Sequence, residues 1–90
     1  MKFEWDQNKA ASNLSNHGIS FDEAKTVFND PLYVDFFDPD HSYNEHRYII
    51  IGQSTDNRLL LVAYTEREDT IRLISAREAT RKERKDYEEG

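Results

Sequence analysis

Basic residues are concentrated in the last quarter of this 90-residue chain. The segment from Arg67 to Lys85 holds seven bases and four acids, a net charge of +3, although the whole chain has a net charge of −6. Arginine is well suited to bind phosphate, because its planar guanidinium contacts two oxygens at once. The segment therefore predicts a local phosphate-binding face. The alternative is a solvent-exposed helix of mixed charge.

His17 is the best candidate for proton transfer, because imidazole ordinarily changes charge near neutral pH. It lies at the end of a helix predicted over about Gln7–Asn16, and Gly18 follows in the position of the left-handed residue that ends many helices. Lys9 lies two turns earlier on roughly the same helix face, so both side chains can serve one pocket. The alternative for His17 is a residue that only caps the helix.

The composition excludes several classes of protein. The chain has no cysteine, which excludes a disulfide scaffold and fits a reducing cytoplasm, the location that we expect. Its longest apolar run, Leu59–Tyr64, is too short to span a membrane. The net charge of −6 argues against a general nucleic-acid binder. Aromatic residues make up 12% of the chain and favour a folded domain despite the high charge.

A crowded polar segment between Asp38 and His46 raises the alternative of a metal site, because carboxylates and imidazoles can bind divalent cations. The segment lacks a recognised spacing of metal ligands, and Asp38-Pro39-Asp40 is typical of a turn. We therefore expect no metal and no cofactor.

The apolar pattern predicts one α+β domain over residues 1–90, in the order β-α-α-β-β-β-β-α, with an antiparallel sheet, two helices before it and one after it. A capping box at Ser20–Glu23 opens the second helix. The last strand is predicted over Thr70–Ile74. A second capping box at Ser75–Glu78 opens the final helix, which places Arg77 in its first turn and Arg81 one turn later.

Two separated motifs resemble the BrnT toxin family. The first comprises Phe3–Asp6, Lys9-Ala10, Asn13 and His17–Ala24, and the second comprises Tyr64–Arg67 and Ile71–Arg81. The resemblance implies a RelE-like fold and a ribonuclease toxin of a type II toxin–antitoxin system that inhibits translation. It also implies neutralisation by BrnA, an antitoxin with a ribbon-helix-helix domain, in a heterotetramer that reaches operator DNA only through the antitoxin. The alternative is a catalytically weak module that mainly binds the antitoxin and supports repression of the operon.

Metal-free RNA cleavage requires a base for the 2′-OH, cations for the phosphorane charge and an acid for the 5′-oxygen. The catalytic candidates under this resemblance are His17, Glu66, Arg67 and Arg77. The candidates for binding the RNA substrate are Lys9, Tyr64, Arg72 and Arg81. Arg67 and Arg77 can converge on one phosphate if the hairpin between them folds back. The alternatives are surface ion pairs for the arginines, a buried sheet position for Tyr64, and a core position for Trp5.

Overall fold

The computed structural model describes residues 1–41 and 45–90. Its elements are β1 (Lys2–Glu4), α1 (Gln7–His17), α2 (Phe21–Ala24) continued by a 3₁₀ turn (Lys25–Asn29), β2 (Val34–Asp38) followed by a 3₁₀ turn (Pro39–His41), β3 (Arg47–Gln53), β4 (Leu59–Arg67), β5 (Thr70–Glu78) and α3 (Arg81–Glu89). The predicted order of helices and strands is confirmed. No helix among the described residues is long and apolar enough to cross a membrane.

The five strands form one sheet in the order β1-β5-β4-β3-β2. β1 pairs with β5 in parallel, and the other neighbouring strands pair antiparallel. The prediction of a fully antiparallel sheet is therefore wrong. Parallel neighbours need a long connection, and here two helices and three strands lie between β1 and β5, so the first strand enters the sheet beside the last.

Local signals set the start of the helical layer. The Asp6 carboxylate accepts hydrogen bonds from the backbone of Asn8 and Lys9, and Ser20 accepts one from Glu23. Gly18 ends α1 with a φ of +69°, in the left-handed region that favours glycine. α1 and α2 then pack on one face of the sheet, which we call the helical face.

The core lies between the helical face and these two helices. Its fully buried side chains include Ile19 and Phe21 from the helical layer and Leu60 and Leu73 from the sheet. Trp5 packs edge-to-face on Phe21, with ring centroids 5.8 Å apart, so the core alternative for Trp5 is confirmed.

The end of β5 differs from the prediction. β5 continues to Glu78, opposite Leu60, and α3 begins only after Thr80, whose capping box uses Glu83. The predicted helix start at Ser75 is therefore wrong, as is the place of Arg77 in a first helical turn. Pairing with the nine-residue β4 outweighs the local capping signal at Ser75, because the hydrogen bonds between the two strands pair many backbone N–H and C=O groups at once.

α3 crosses the other face of the sheet, which we call the α3 face. The Tyr87 hydroxyl donates to Asp30 at 2.6 Å, and Arg77 binds Glu83 with both terminal nitrogens. None of the α3 residues is buried. A few polar contacts thus hold this helix over one end of the α3 face.

Candidate active site

One row of polar residues crosses all five strands on the α3 face. The strand pairing sets Asp38 opposite Arg47, Arg47 opposite Thr65, Thr65 opposite Arg72, and Arg72 beside Glu4. Side chains of directly opposed residues point to the same face of a sheet. Because neighbouring strands are about 4.8 Å apart, the row brings two arginines to the two sides of Thr65.

Arg67 adds a third guanidinium to this surface. It lies two residues after Thr65 on β4, so its side chain points to the same face. Its guanidinium forms a two-point ion pair with Glu45, with Nη2 2.8 Å from Oε1. Arg72 forms an ion pair with Glu4. We call the group of Arg47, Thr65, Arg67 and Arg72 the arginine face.

The ion pairs of the arginine face occupy the groups that a phosphate would use. The hydrogen bond from Arg67 lowers the pKa of Glu45 and raises the pKa of Arg67 itself. Two carboxylate oxygens on a guanidinium resemble two phosphate oxygens in geometry and charge. Both arginines are partly exposed, so an incoming anion can exchange with these carboxylates.

Thr65 is unusual at the centre of this surface. Its side chain is only 4% exposed, and among the described residues its hydroxyl has no hydrogen-bond partner. A buried polar atom without a partner costs about 1–3 kcal/mol, and valine would fill the same strand position without that cost. Within residues 1–41 and 45–90 the hydroxyl is therefore an unpaired group, buried directly between Arg47 and Arg72 in the strand pairing.

The structure does not bring Arg77 to Arg67. Arg77 is opposite Leu61 and Arg67 is opposite Thr70, so six residues of β4 separate the two positions. At about 3.4 Å per residue the separation is roughly 20 Å, and the expected convergence on one phosphate is wrong. Arg77 instead binds Glu83 at distances of 2.8 and 2.9 Å, which lowers the pKa of Glu83 to about 2 and ties the start of α3 to β5.

Tyr64 and Glu66 point to the helical face, opposite to the arginine face. Tyr64 is buried, stacks on Tyr48 and donates a hydrogen bond to Asp35 at 3.3 Å, and its burial raises its pKa. Tyr64 is therefore not placed to bind the RNA substrate, and the buried alternative is confirmed. Glu66 is exposed beside Arg67 at the end of β4.

Lys9 and His17 share a groove, as their spacing predicts. This groove of about 380 Å³ lies between α1 and the edge of β5, and it also includes Asn16 and Ile74. Ile74 is two residues after Arg72, so the groove begins roughly 7 Å along β5 from the arginine face. Two separate polar surfaces thus lie close to one strand.

Arg81 lies apart from both surfaces. It is exposed at the first position of α3 and lines a shallow groove with Lys82, Arg84 and Lys85 on that helix. The predicted grouping of Arg81 with Arg77 on one helix face is wrong, because Arg77 is a strand residue.

No group of three or more His, Asp or Glu side chains is placed to hold a metal ion in residues 1–41 and 45–90. Residues 42–44 of the polar segment between Asp38 and His46 lie outside the described residues.

Three residues of the candidate site were missed in the sequence: Arg47, Thr65 and Glu45. Thr65 and Arg47 take part only through strand pairing with Arg72, and the sequence does not state which residues are opposed. The available signal was the polar Thr65 at the end of an otherwise apolar strand. Glu45 reaches Arg67 from 22 positions away, which no local pattern reveals.

The family model for the ribonuclease toxin BrnT of type II toxin–antitoxin systems matches residues 5–83. The fold is similar to the crystal structure of the ribonuclease toxin BrnT from Brucella abortus, with a TM-score of 0.65 and 21% identity over 90% of this chain and 99% of that one. No curated protein matches the chain. The family match covers most of the sequence. The chain therefore belongs to the BrnT family of ribonuclease toxins of type II toxin–antitoxin systems.

Proposed function

We propose that the chain cleaves RNA without a metal ion, and that the scissile phosphate binds on the arginine face. The observation that carries this proposal is the Thr65 hydroxyl between Arg47 and Arg72, which has no hydrogen-bond partner in the part of the chain that the structure describes. A phosphate has the negative charge that guanidinium groups bind. Its oxygens can also accept a hydrogen bond from the Thr65 hydroxyl. It would displace Glu45 from Arg67 and Glu4 from Arg72.

The proposed reaction is an attack of the ribose 2′-oxygen on the adjacent phosphorus. The bond from phosphorus to the 5′-oxygen breaks, which yields a 2′,3′-cyclic phosphate and a 5′-hydroxyl. Arg67 and Arg72 stabilise the charge that develops on the phosphorane oxygens. Once it is displaced from Arg67, Glu45 regains its ordinary basicity and accepts the proton from the 2′-hydroxyl. The 5′-oxygen takes a proton from solvent.

The remaining candidates take secondary roles in this proposal. Lys9 and His17 line the groove next to Arg72, where a neighbouring phosphate of the same strand can bind. Glu66 lies on the opposite face and is not needed for proton transfer. Arg77 and Arg81 act outside the chemical step.

We also propose the cellular context that this activity fits. Cleavage of messenger RNA in the cytoplasm would inhibit translation, and the fold would be RelE-like. A type II system includes a protein antitoxin. The proposed antitoxin is BrnA-like, carries a ribbon-helix-helix domain and forms a heterotetramer with the toxin. This complex contacts operator DNA only through the antitoxin.

The test is incubation of the purified chain with a labelled single-stranded RNA in excess EDTA. We expect cleavage that leaves 2′,3′-cyclic phosphate ends, and a loss of at least 100-fold in Arg67→Ala and Arg72→Ala. Arg81→Ala is the matched control, because it removes an exposed arginine elsewhere, and it should cleave like the wild type. Intact RNA together with tight antitoxin binding would favour the alternative, a catalytically weak antitoxin-binding module.

Glu45→Gln and Glu66→Gln separate the two carboxylates next to Arg67. We expect Glu45→Gln to lose activity and Glu66→Gln to keep it. The opposite result would identify Glu66, on the helical face, as the general base.

A further inference from the structure

β2 is an open edge of the sheet. It comes last in the strand order, so no described strand pairs with its outer side. Open edges usually carry lysine, proline or a bulge that prevents pairing with another chain. The sequence of β2, Val34–Asp38, has none of the three, and its charged residues are two aspartates, of which Asp35 accepts a hydrogen bond from Tyr64. The opposite edge strand, β1, has only three residues and begins with Lys2, which is typical of a protected edge.

Large apolar side chains are exposed along this same edge. Phe36 is 50% exposed on the α3 face, and Phe37 is 44% exposed on the helical face. Leu32 and Tyr33, directly before the strand, are also exposed. Among the described residues, four of the six exposed large hydrophobic side chains thus belong to this one segment. We call residues 32–37 the β2 edge.

A groove adjoins the start of the β2 edge. It has a volume of about 570 Å³ and lies between Leu32–Val34 and the end of α3, where Tyr87 forms part of its wall. Such a groove next to an open strand is the arrangement in which an added strand places one apolar side chain in a pocket while its backbone pairs with the edge.

The charges around the β2 edge favour a positively charged binding partner. Asp35 and Asp38 lie within the strand, and Glu88 and Glu89 line the groove. Residues 1–45 carry a net charge of −6. A second copy of the chain would bring the same acids against these, which is unfavourable. A positively charged segment with apolar residues at alternate positions complements both the charge and the exposed rings.

We infer that the β2 edge takes an extended, basic segment of the antitoxin as a sixth strand of the sheet. The backbone of the segment pairs with Val34–Asp38, its apolar side chains contact Phe36 and Phe37, and its basic side chains face the surrounding carboxylates. A strand in this place continues the row of Asp38, Arg47 and Thr65, so its side chains lie next to the arginine face. The inference uses the family's protein partner and does not depend on the proposed chemistry.

The test measures binding of the proposed BrnA-like antitoxin. The wild-type chain, produced together with the antitoxin and separated from it under denaturing conditions, serves as the host chain, because its production then does not depend on where the active site lies. Adding Phe36→Lys should weaken antitoxin binding at least tenfold, since it removes an apolar contact and repels a basic strand. Leu14→Lys is the matched control, because Leu14 is an equally exposed apolar residue on α1 and its change should leave the affinity unaltered.

Hydrogen exchange gives a second readout that does not depend on the variant. Antitoxin binding should slow exchange of the backbone amides of Val34–Asp38 in the host chain. Antitoxin that binds Phe36→Lys as tightly as the host, or that leaves exchange in this strand unchanged, would overturn the inference. So would a free chain that dimerises at micromolar concentration through this edge, because the second copy would then be the occupant.

Discussion

The side-chain amide of Asn13 replaces a missing strand next to Ala76. It accepts a hydrogen bond from the Ala76 N–H at 2.9 Å and donates one to the Ala76 carbonyl oxygen at 2.8 Å, and it donates another to Ile19 at 2.9 Å. β1 pairs only with Thr70–Arg72 of β5, so beyond it the edge of β5 is open to α1. Asn13 thus satisfies backbone groups that the short first strand does not reach.

Replacing this amide should therefore destabilise the whole domain. We expect Asn13→Leu to lower the free energy of unfolding by about 2–4 kcal/mol, because it leaves buried backbone groups of Ala76 and Ile19 without partners. Urea unfolding followed by circular dichroism measures the change. Asn16→Leu, on the exposed side of the same helix, should change it by less than about 0.5 kcal/mol. Equal effects of the two substitutions would contradict the role of Asn13.

Thr65→Val should separate stability from activity. Valine has the shape of threonine without the unpartnered hydroxyl, so the free energy of unfolding should rise by about 1 kcal/mol. If the hydroxyl binds phosphate, RNA cleavage should fall at the same time. A variant that is both more stable and fully active would remove Thr65 from the site. Thermal unfolding and the EDTA cleavage assay give the two values.

Arg67→Ala and Arg77→Ala should have different consequences. Arg67 lies on the arginine face, so its loss should reduce cleavage while the domain remains as stable as the wild type. Arg77 fixes Glu83 at the start of α3, so its loss should reduce the helical circular dichroism signal and leave cleavage by folded protein nearly unchanged. Abolished cleavage in a fully folded Arg77→Ala protein would return Arg77 to the active site.

Acid should release α3 before it unfolds the rest of the domain. Arg77 lowers the pKa of Glu83 to about 2 from an ordinary value of 4.5. A carboxylate with a lowered folded-state pKa stabilises the fold above its unfolded value, and this contribution is lost as the pH falls from about 4.5 towards 2. The protection factors of the α3 amides, which correct for the pH dependence of intrinsic exchange, should fall in the wild type across this pH range. Glu83→Gln should show low protection factors at every pH, and a pH-dependent fall in protection retained in that variant would refute the assignment.

Gly18→Ala tests the end of α1. The backbone at Gly18 has a φ of +69°, and no atom lies within 4 Å of the position that a Cβ would take, so any cost comes from the backbone alone. We expect a loss of about 1 kcal/mol in the free energy of unfolding. Gly18→Asn should lose less, since asparagine tolerates this conformation better. Equal losses in the two variants would point to a cause other than backbone strain.

The sequence predicted best what short-range forces decide. Gly18 and Ser20 act within a few residues of themselves, so their positions mark the end of α1 and the start of α2 correctly. The apolar pattern also predicted the order of helices and strands, and the longest apolar run, Leu59–Tyr64, lies in β4, because a strand in the middle of a covered sheet needs apolar residues on both faces.

What the sequence did not predict depends on residues that are far apart in the chain. The Ser75 and Thr80 capping signals are locally equivalent, and only pairing with β4 decides between them. The parallel placement of β1 likewise depends on pairing with a strand far away in the sequence, β5. For the candidate site, the chemistry of Arg67 and Arg72 was visible in their type, but the contribution of Thr65 emerged only from the register.

The position of β1 beside β5 also determines when the nuclease comes into existence during translation. Glu4 contacts Arg72 across 68 residues of sequence, and Asn13 contacts Ala76 across 63. At about 5–20 residues per second, the ribosome needs roughly 3–14 s to make the second partner of the first pair. Until then the helical layer has no completed sheet to cover, and the row of residues around Thr65 lacks one side. The complete sheet, and any activity that needs it, thus cannot form before β5 has been made.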